Sequence, residues 1–165
     1  MNHPRRTTVT LLLVIAGALT PLVAHAIGGR CWIFLPAHIP PLLAGVALGP
    51  GAGLLTGVAT AVSDLLWGGR VHGLAFVPLG LEFVTYGLVA GMLASPPSRY
   101  GTRFFAIIVA MLAGRLVHFL AALVLGRGSA HLLDGLFVAP WPGIVIQVAL
   151  LPAIAPAITR AAGRR

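Results

Sequence analysis

Six apolar stretches run along the chain, separated by short polar segments or by glycine and proline. They cover residues 7–27, 33–49, 51–68, 73–94, 102–126 and 136–159. An α-helix needs about 20 apolar residues to cross a bilayer core of ~30 Å, and most of the stretches approach or exceed this length. The pattern predicts an all-α integral membrane protein, a bundle of six transmembrane helices that forms a single domain over residues 1–165.

The second and third stretches are shorter than the others and are separated only by the turn Gly49-Pro50-Gly51. This spacing predicts two short helices that form a tight hairpin. Glycines also recur at intervals of four residues, a spacing that allows membrane helices to approach closely. These glycines are Gly45, Gly49, Gly53 and Gly57 in the hairpin, and Gly87 and Gly91 in the fourth stretch.

Composition supports the membrane assignment, because 58% of the residues are hydrophobic, 8% are charged and the mean hydropathy is +0.99. The net charge of +8 comes from eleven basic residues, all of them arginine. Most arginines lie at the ends of apolar stretches, where they set topology and meet anionic lipid headgroups, so we do not expect nucleic acid as a partner.

The distribution of arginines predicts both termini in the cytoplasm and a multi-pass protein of the cell membrane. With this topology seven arginines lie inside and three outside: Arg5, Arg6, Arg99, Arg103, Arg160, Arg164 and Arg165 against Arg30, Arg70 and Arg127. An alternative for the first stretch is a cleavable signal peptide, because Ala24-His25-Ala26 follows Arg5-Arg6 and an apolar run.

Motifs of catalysis and metal binding are absent from the sequence. Cys31 is the only cysteine, so neither an intramolecular disulfide nor a CxxC site can form. The sequence has no HExxH, GxSxG or P-loop motif, and its three acidic residues, Asp64, Glu82 and Asp134, lie on separate elements. We therefore expect no enzyme activity and no cofactor. If transport is driven by ATP, another subunit must hydrolyse it.

Two charged residues lie deep within apolar stretches, where an unpaired charge costs ~2.5–3.5 kcal/mol on insertion scales. Glu82 and Arg115 fall at similar depths in the fourth and fifth stretches, so we expect them to pair or to border one polar cavity open to the exterior. His118 shares the helix face of Arg115, and together they suit a carboxylate, phosphate or amide ligand. The alternative is a purely structural ion pair.

Other polar and aromatic residues gather on the side predicted to be outer. Tryptophans at such positions commonly anchor a protein at the membrane interface, but their clustering with histidines and carboxylates favours an outward-facing binding pocket. The residues concerned are Trp32, Phe34, His38, Asp64, Trp67, Arg70, His72, Asp134 and Trp141.

Four blocks of the sequence, in order, resemble the S component, the substrate-binding membrane subunit of energy-coupling-factor (ECF) vitamin transporters. The first is FLPAHIPPLLAGVALGPGAG (34–53), which has a Pro-x-His-Ile-Pro segment before a small-residue hairpin with a Gly-Pro turn. The others are LEFVTYGLVAGML (81–93), AGRLVHF (113–119) and PGIVIQVALLP (142–152), which resemble the later helices of one branch of that family.

The resemblance implies a subunit that binds a water-soluble vitamin or related micronutrient from the outside. It also implies delivery of the ligand by toppling against a transmembrane T subunit driven by two ATPase subunits. The family commonly carries an Ala-xxx-Ala stripe for the T subunit on its first helix, where this chain has Ala16, Thr20 and Ala24. The implied ligand-binding residues are His38, Glu82, Arg115, His118, Trp141 and Gln147.

The sequence leaves the ligand open. Arg115 and His118 suit an anion such as pantothenate or a phosphate ester, whereas the aromatic rim suits cobalamin, a thiazole of the thiamine type or another ring. Two other functions are considered beside vitamin binding for uptake, which we call capture. They are a membrane assembly or scaffold protein, and a stand-alone small carrier.

Overall fold

The computed structural model describes residues 3–27, 31–67, 73–94, 96–127 and 138–163. Within these ranges the chain is helical and contains no β-strand, as predicted. Short 3-10 helices, Cys31–Phe34, Pro36–His38 and Gly73–Phe76, precede the second and fourth helices. The α-helices in these ranges are α1 His3–Ile27, α2 Ile39–Leu48, α3 Pro50–Trp67, α4 Val77–Leu93, α5 Tyr100–Val124 and α6 Trp141–Ala161.

Three helices, α1, α5 and α6, are long and apolar enough to cross a membrane. Their outward faces carry large aliphatic side chains that water would not favour, whereas much of the interior is built from alanine, glycine and threonine. This arrangement suits lipid as the surrounding solvent and indicates association with a membrane. Examples of the exposed residues are Leu12, Ile27, Leu112, Leu116, Val145 and Leu150.

The beginning of α2 differs from the predicted boundary. The apolar stretch begins at residue 33, but the α-helix begins at Ile39. Leu35 has a φ of 52°, in the left-handed region, and Pro36 follows it, so residues 31–38 form two 3-10 turns instead of a continuous helix. This irregular segment places His38 immediately before α2.

Helix α2 lies at the centre of the bundle and contacts each of the other five described α-helices. Its residues from Pro40 to Leu48 are all buried, and Leu42 and Leu48 are fully enclosed. A short helix surrounded by others needs an apolar residue at every position, because it has no face toward solvent. The apolar composition of this stretch therefore reflects central packing as well as the membrane.

Helices α3 and α4 meet through glycines whose backbones touch. A methyl group added to Gly53 would collide with the backbone of Gly87, and one added to Gly57 would lie 2.6 Å from the carbonyl oxygen of Phe83. Small residues at this spacing bring helix axes close enough for extended backbone contact. We call Gly45, Gly53, Gly57, Gly87 and Gly91 the glycine interface.

Helix α1 packs mainly on α3. Gly17 faces Thr56 and Thr60, and a methyl group on Gly17 would lie 2.6 Å from Thr60 Oγ1. The Ser63 hydroxyl donates to the carbonyl oxygen of Ala18, which ties the two helices across the same interface.

The residues predicted to dock a T subunit, Ala16, Thr20 and Ala24, lie on α1 and are half-buried. The Thr20 hydroxyl donates to the carbonyl oxygen of Ala16 at 2.6 Å, so its polar group is satisfied within the helix. Their docking role stays a prediction.

Candidate functional site

The carboxylate of Glu82 is the centre of a buried group of polar side chains from three parts of the chain. His118 Nδ1 lies 2.6 Å from Glu82 Oε2, and the Tyr86 hydroxyl donates to Oε1. Arg115 Nε lies 3.2 Å and His38 Nε2 lies 3.4 Å from the same Oε1. We call these five residues the polar cluster. The predicted pairing of Glu82 with Arg115 is confirmed.

Helix periodicity explains how these side chains meet. Glu82 and Tyr86 are four residues apart on α4, and Arg115 and His118 are three apart on α5, so each pair shares one face. The two helices pack along their length. Gly114 makes room for Tyr86, because a methyl group there would enter the Tyr86 ring. Tyr86 was not predicted, although its spacing from Glu82 was a usable signal.

His38 reaches the cluster from the irregular segment before α2. Its ring packs edge-on to Phe83 with 5.0 Å between ring centroids and lies at a tilt to Tyr86 at 5.1 Å. The aromatic neighbours hold the imidazole beside the carboxylate. The structure therefore brings together four of the sequence-predicted ligand-binding residues: His38, Glu82, Arg115 and His118.

The polar cluster is closed to solvent on most sides. Glu82 is 1% exposed and Arg115 is 4% exposed, whereas the His118 side chain retains 17%. The sequence led us to expect that Glu82 and Arg115 open toward the exterior, and the described residues instead bury both. Residues 128–137, which connect α5 to α6, lie outside the described part of the chain.

Several buried nitrogens of the cluster have no hydrogen-bond partner among the described residues. They are Nε and Nη2 of Arg115 and both ring nitrogens of His38. Arg115 Nε and His38 Nε2 are close enough to Glu82 for charge attraction, but their directions do not make hydrogen bonds. A buried donor without a partner costs about 1–3 kcal/mol, and more when it is charged.

Gln147, another predicted ligand-binding residue, lies on α6 and is 1% exposed. Its Nε2 donates to the carbonyl oxygens of Phe34 and Leu35, both at 3.0 Å. The backbone N–H of His38 donates to the same Leu35 oxygen at 3.0 Å, so Gln147 is connected to the cluster through this segment. Gln147 Oε1 has no partner among the described residues.

Three of the remaining outer residues have exposed side chains. Trp141 is 62% exposed at the first position of α6, and Trp67 and Phe34 are also exposed. Asp64 is half-buried. Trp141 therefore stays a predicted contact without structural support. Other predicted residues lie outside the described part of the chain: Arg30, Arg70, His72, Asp134, Arg164 and Arg165.

A groove of about 420 Å³ lies between α4 and the C-terminal half of α5, and its lining is almost entirely apolar. None of the polar cluster lines it. The groove is lined by Val77, Leu81, Val117, Leu120, Ala121, Val124 and Leu125.

No group of three or more His, Cys, Asp or Glu residues in the described ranges could hold a metal ion.

Comparison with protein-family models, curated proteins and solved structures finds no match to this chain.

Proposed function

We propose that this protein is the substrate-capture subunit of an ECF-type importer, which binds a water-soluble vitamin or related micronutrient from outside the cell. In this proposal the six described α-helices form a six-span bundle in the cell membrane, α2 and α3 form its hairpin, and both termini are cytoplasmic. A T subunit and two ATPase subunits then complete transport.

The observation that carries the proposal is the buried polar cluster with its unpartnered donors. Burial of Glu82, Arg115 and two histidines among apolar helices is costly, and intramembrane charges usually serve a ligand or ion. Native proteins satisfy most buried polar groups, so Arg115 Nη2, which has no partner among the described residues, indicates a site that a ligand completes. The four sequence blocks resembling S components supply the transporter class.

The first test identifies what the protein holds. The full chain is purified gently in mild detergent from cells grown in rich medium, and small molecules released by denaturation are identified by mass spectrometry. The expected result is one water-soluble micronutrient together with a T subunit and ATPases. Failure of every vitamin in a complete panel to bind or stabilise the folded protein would overturn the proposal.

Arg115→Lys tests the role of the cluster, because lysine keeps the positive charge but loses the planar fork of donors. Loss of one charged hydrogen bond, about 1.5–3 kcal/mol, corresponds to a Kd raised roughly 10- to 100-fold. Arg103→Lys is the matched control, since Arg103 is a buried arginine near the opposite end of α5 whose Nε donates to Ser98 Oγ at 3.1 Å. Equal effects of the two substitutions on Kd would contradict the assignment.

A scaffold function has one observation in its favour: Glu82 is 1% exposed and already has four contacting side chains, as a structural ion pair would. This alternative predicts that the double exchange of Glu82→Arg with Arg115→Glu preserves function. Capture predicts that the exchange abolishes ligand binding even where the protein still folds. Uptake by the purified chain alone in liposomes would instead identify a stand-alone carrier.

A further inference from the structure

The N–H and O–H groups around Glu82 outnumber the acceptor positions of its carboxylate. A carboxylate offers about four acceptor positions, and a guanidinium alone brings five N–H groups. Around Glu82, the donors also include the Tyr86 hydroxyl and an imidazole from each of two histidines. The carboxylate cannot satisfy all of them, which is consistent with the unpartnered nitrogens of Arg115 and His38 among the described residues.

The positions of the charges point the same way. Arg115, which has unpartnered nitrogens, carries a positive charge, whereas Glu82, whose oxygens already have four contacting side chains, is the single acidic group in contact with the cluster within the described ranges. A cationic ligand would face Arg115 without a second carboxylate in the described cluster. A neutral apolar ligand would leave the free nitrogens of Arg115 and His38 buried and unsatisfied. An anionic group supplies acceptors for these nitrogens and is attracted by the positive charge of Arg115.

Gln147 adds a requirement for a hydrogen-bond donor on the ligand. Because its amide nitrogen donates to the carbonyl oxygens of Phe34 and Leu35, the orientation of the amide is determined, and Oε1 is left as a buried acceptor without a described partner. Gln147 lies on α6 and is hydrogen-bonded to the segment that carries His38. A ligand that bonds to Gln147 Oε1 as well as to the unpartnered nitrogens of Arg115 and His38 needs an N–H or O–H donor in addition to an anionic group.

We infer that the ligand is a small organic acid that carries its own hydrogen-bond donor, an inference that rests on the proposed capture function. The acid group accepts hydrogen bonds from Arg115 Nη2 and from the ring N–H of His38. The donor group bonds to Gln147 Oε1. This narrows the substrate class to acids and excludes cationic and purely apolar micronutrients.

Matched pairs of acids and uncharged counterparts test the class. The full chain in detergent is titrated with biotin and biotinamide and with pantothenate and its alcohol, beside all remaining water-soluble vitamins, among them thiamine, riboflavin and cobalamin. The expected result is binding of one acid at least about tenfold tighter than of its uncharged counterpart, as for the loss of one charged hydrogen bond. Preferred binding of a cationic or uncharged compound would overturn the acid inference while leaving capture intact. Absence of binding across the panel would overturn both.

Variants of Glu82, Arg115 and His38 test whether the preference for the acid over its uncharged counterpart depends on the polar cluster. Glu82→Gln combined with Arg115→Gln removes both charges without leaving one unpaired, and the acid should then lose its advantage over the uncharged counterpart. Arg103→Gln is the control and should retain the advantage. If the double variant does not fold, His38→Asn takes its place and is expected to weaken binding of the acid more than of its counterpart. An unchanged acid preference in the folded variant would overturn the inference.

Discussion

The glycine interface and the polar cluster both include residues of α4, yet they are built in opposite ways. Gly53 and Gly87 meet backbone to backbone, with no space for a methyl group. One residue before Gly87, Tyr86 belongs to a cluster in which several nitrogens have no described hydrogen-bond partner. The face of α4 that carries Gly87 is tightly packed, whereas the polar cluster on its other side has nitrogens without a described hydrogen-bond partner.

The comparison distinguishes residues that pack the helices from residues that are proposed to bind a ligand. Close contact between small residues stabilises a helix pair in lipid without any polar group. Buried, partly unsatisfied polar side chains lower stability, and a local departure from good packing chemistry is expected where a protein binds a ligand. Variants of the two regions should therefore differ in what they affect and by how much.

The largest effect is expected for Arg115→Ala. Removing the guanidinium leaves Glu82 as a buried charge that has lost its arginine, which costs about 3–5 kcal/mol. Adding Glu82→Gln should restore most of the loss, because the unpaired charge is then removed. The measurement is the apparent melting temperature of the protein in detergent. If Arg115→Ala were equally damaging in the presence and in the absence of Glu82→Gln, the charge pair would not be responsible.

Gly53→Ala should destabilise the protein by about 1–3 kcal/mol, because the added methyl group meets the Gly87 backbone and the helices must separate. Gly51→Ala, two residues earlier on the same helix, is the control, since no atom lies within 4 Å of the added methyl group. Thermal unfolding should distinguish the two, and the ligand affinity of folded Gly53→Ala protein should change little. Equal melting temperatures would argue against close packing.

The smallest effect is expected for Ser63→Ala, which removes the hydrogen bond from Ser63 to the Ala18 carbonyl. Hydrogen bonds between membrane helices contribute about 0.6 kcal/mol on average, so the melting temperature should fall slightly. Ligand binding should be unaffected, because Ser63 lies between α1 and α3 and not in the polar cluster. A change in Kd would show that the α1–α3 interface is coupled to the cluster.

Hydropathy was sufficient to predict the helical chain and the approximate ranges of α3 and α5, because lipid-facing helices need continuous apolar residues. It could not predict that α2 begins at Ile39. Nothing about Leu35 as a residue type indicates a left-handed conformation, since that conformation is imposed by the surrounding contacts. Apolar character likewise did not show that α2 is enclosed by the other helices.

For the candidate site, depth along the helices predicted the pairing of Glu82 with Arg115, and helix spacing placed His118 beside them. His38 was predicted from its place among the outer polar residues and from the resemblance to S components, because no periodicity relates it to α4. Sequence could not show the near-complete burial of the pair or the role of Gln147 in binding the segment before α2. Both depend on contacts between residues distant in the chain.

The left-handed conformation of Leu35 costs roughly 1–2 kcal/mol for a residue with a side chain, and Gln147 on α6 donates to the carbonyl groups of Leu35 and of the residue before it. We therefore expect a shift of α6 to reach His38 through a short length of backbone. Under the proposed capture function, substitutions on α6 should change selectivity at the imidazole without touching the bound molecule, and a search for altered specificity should begin on that helix.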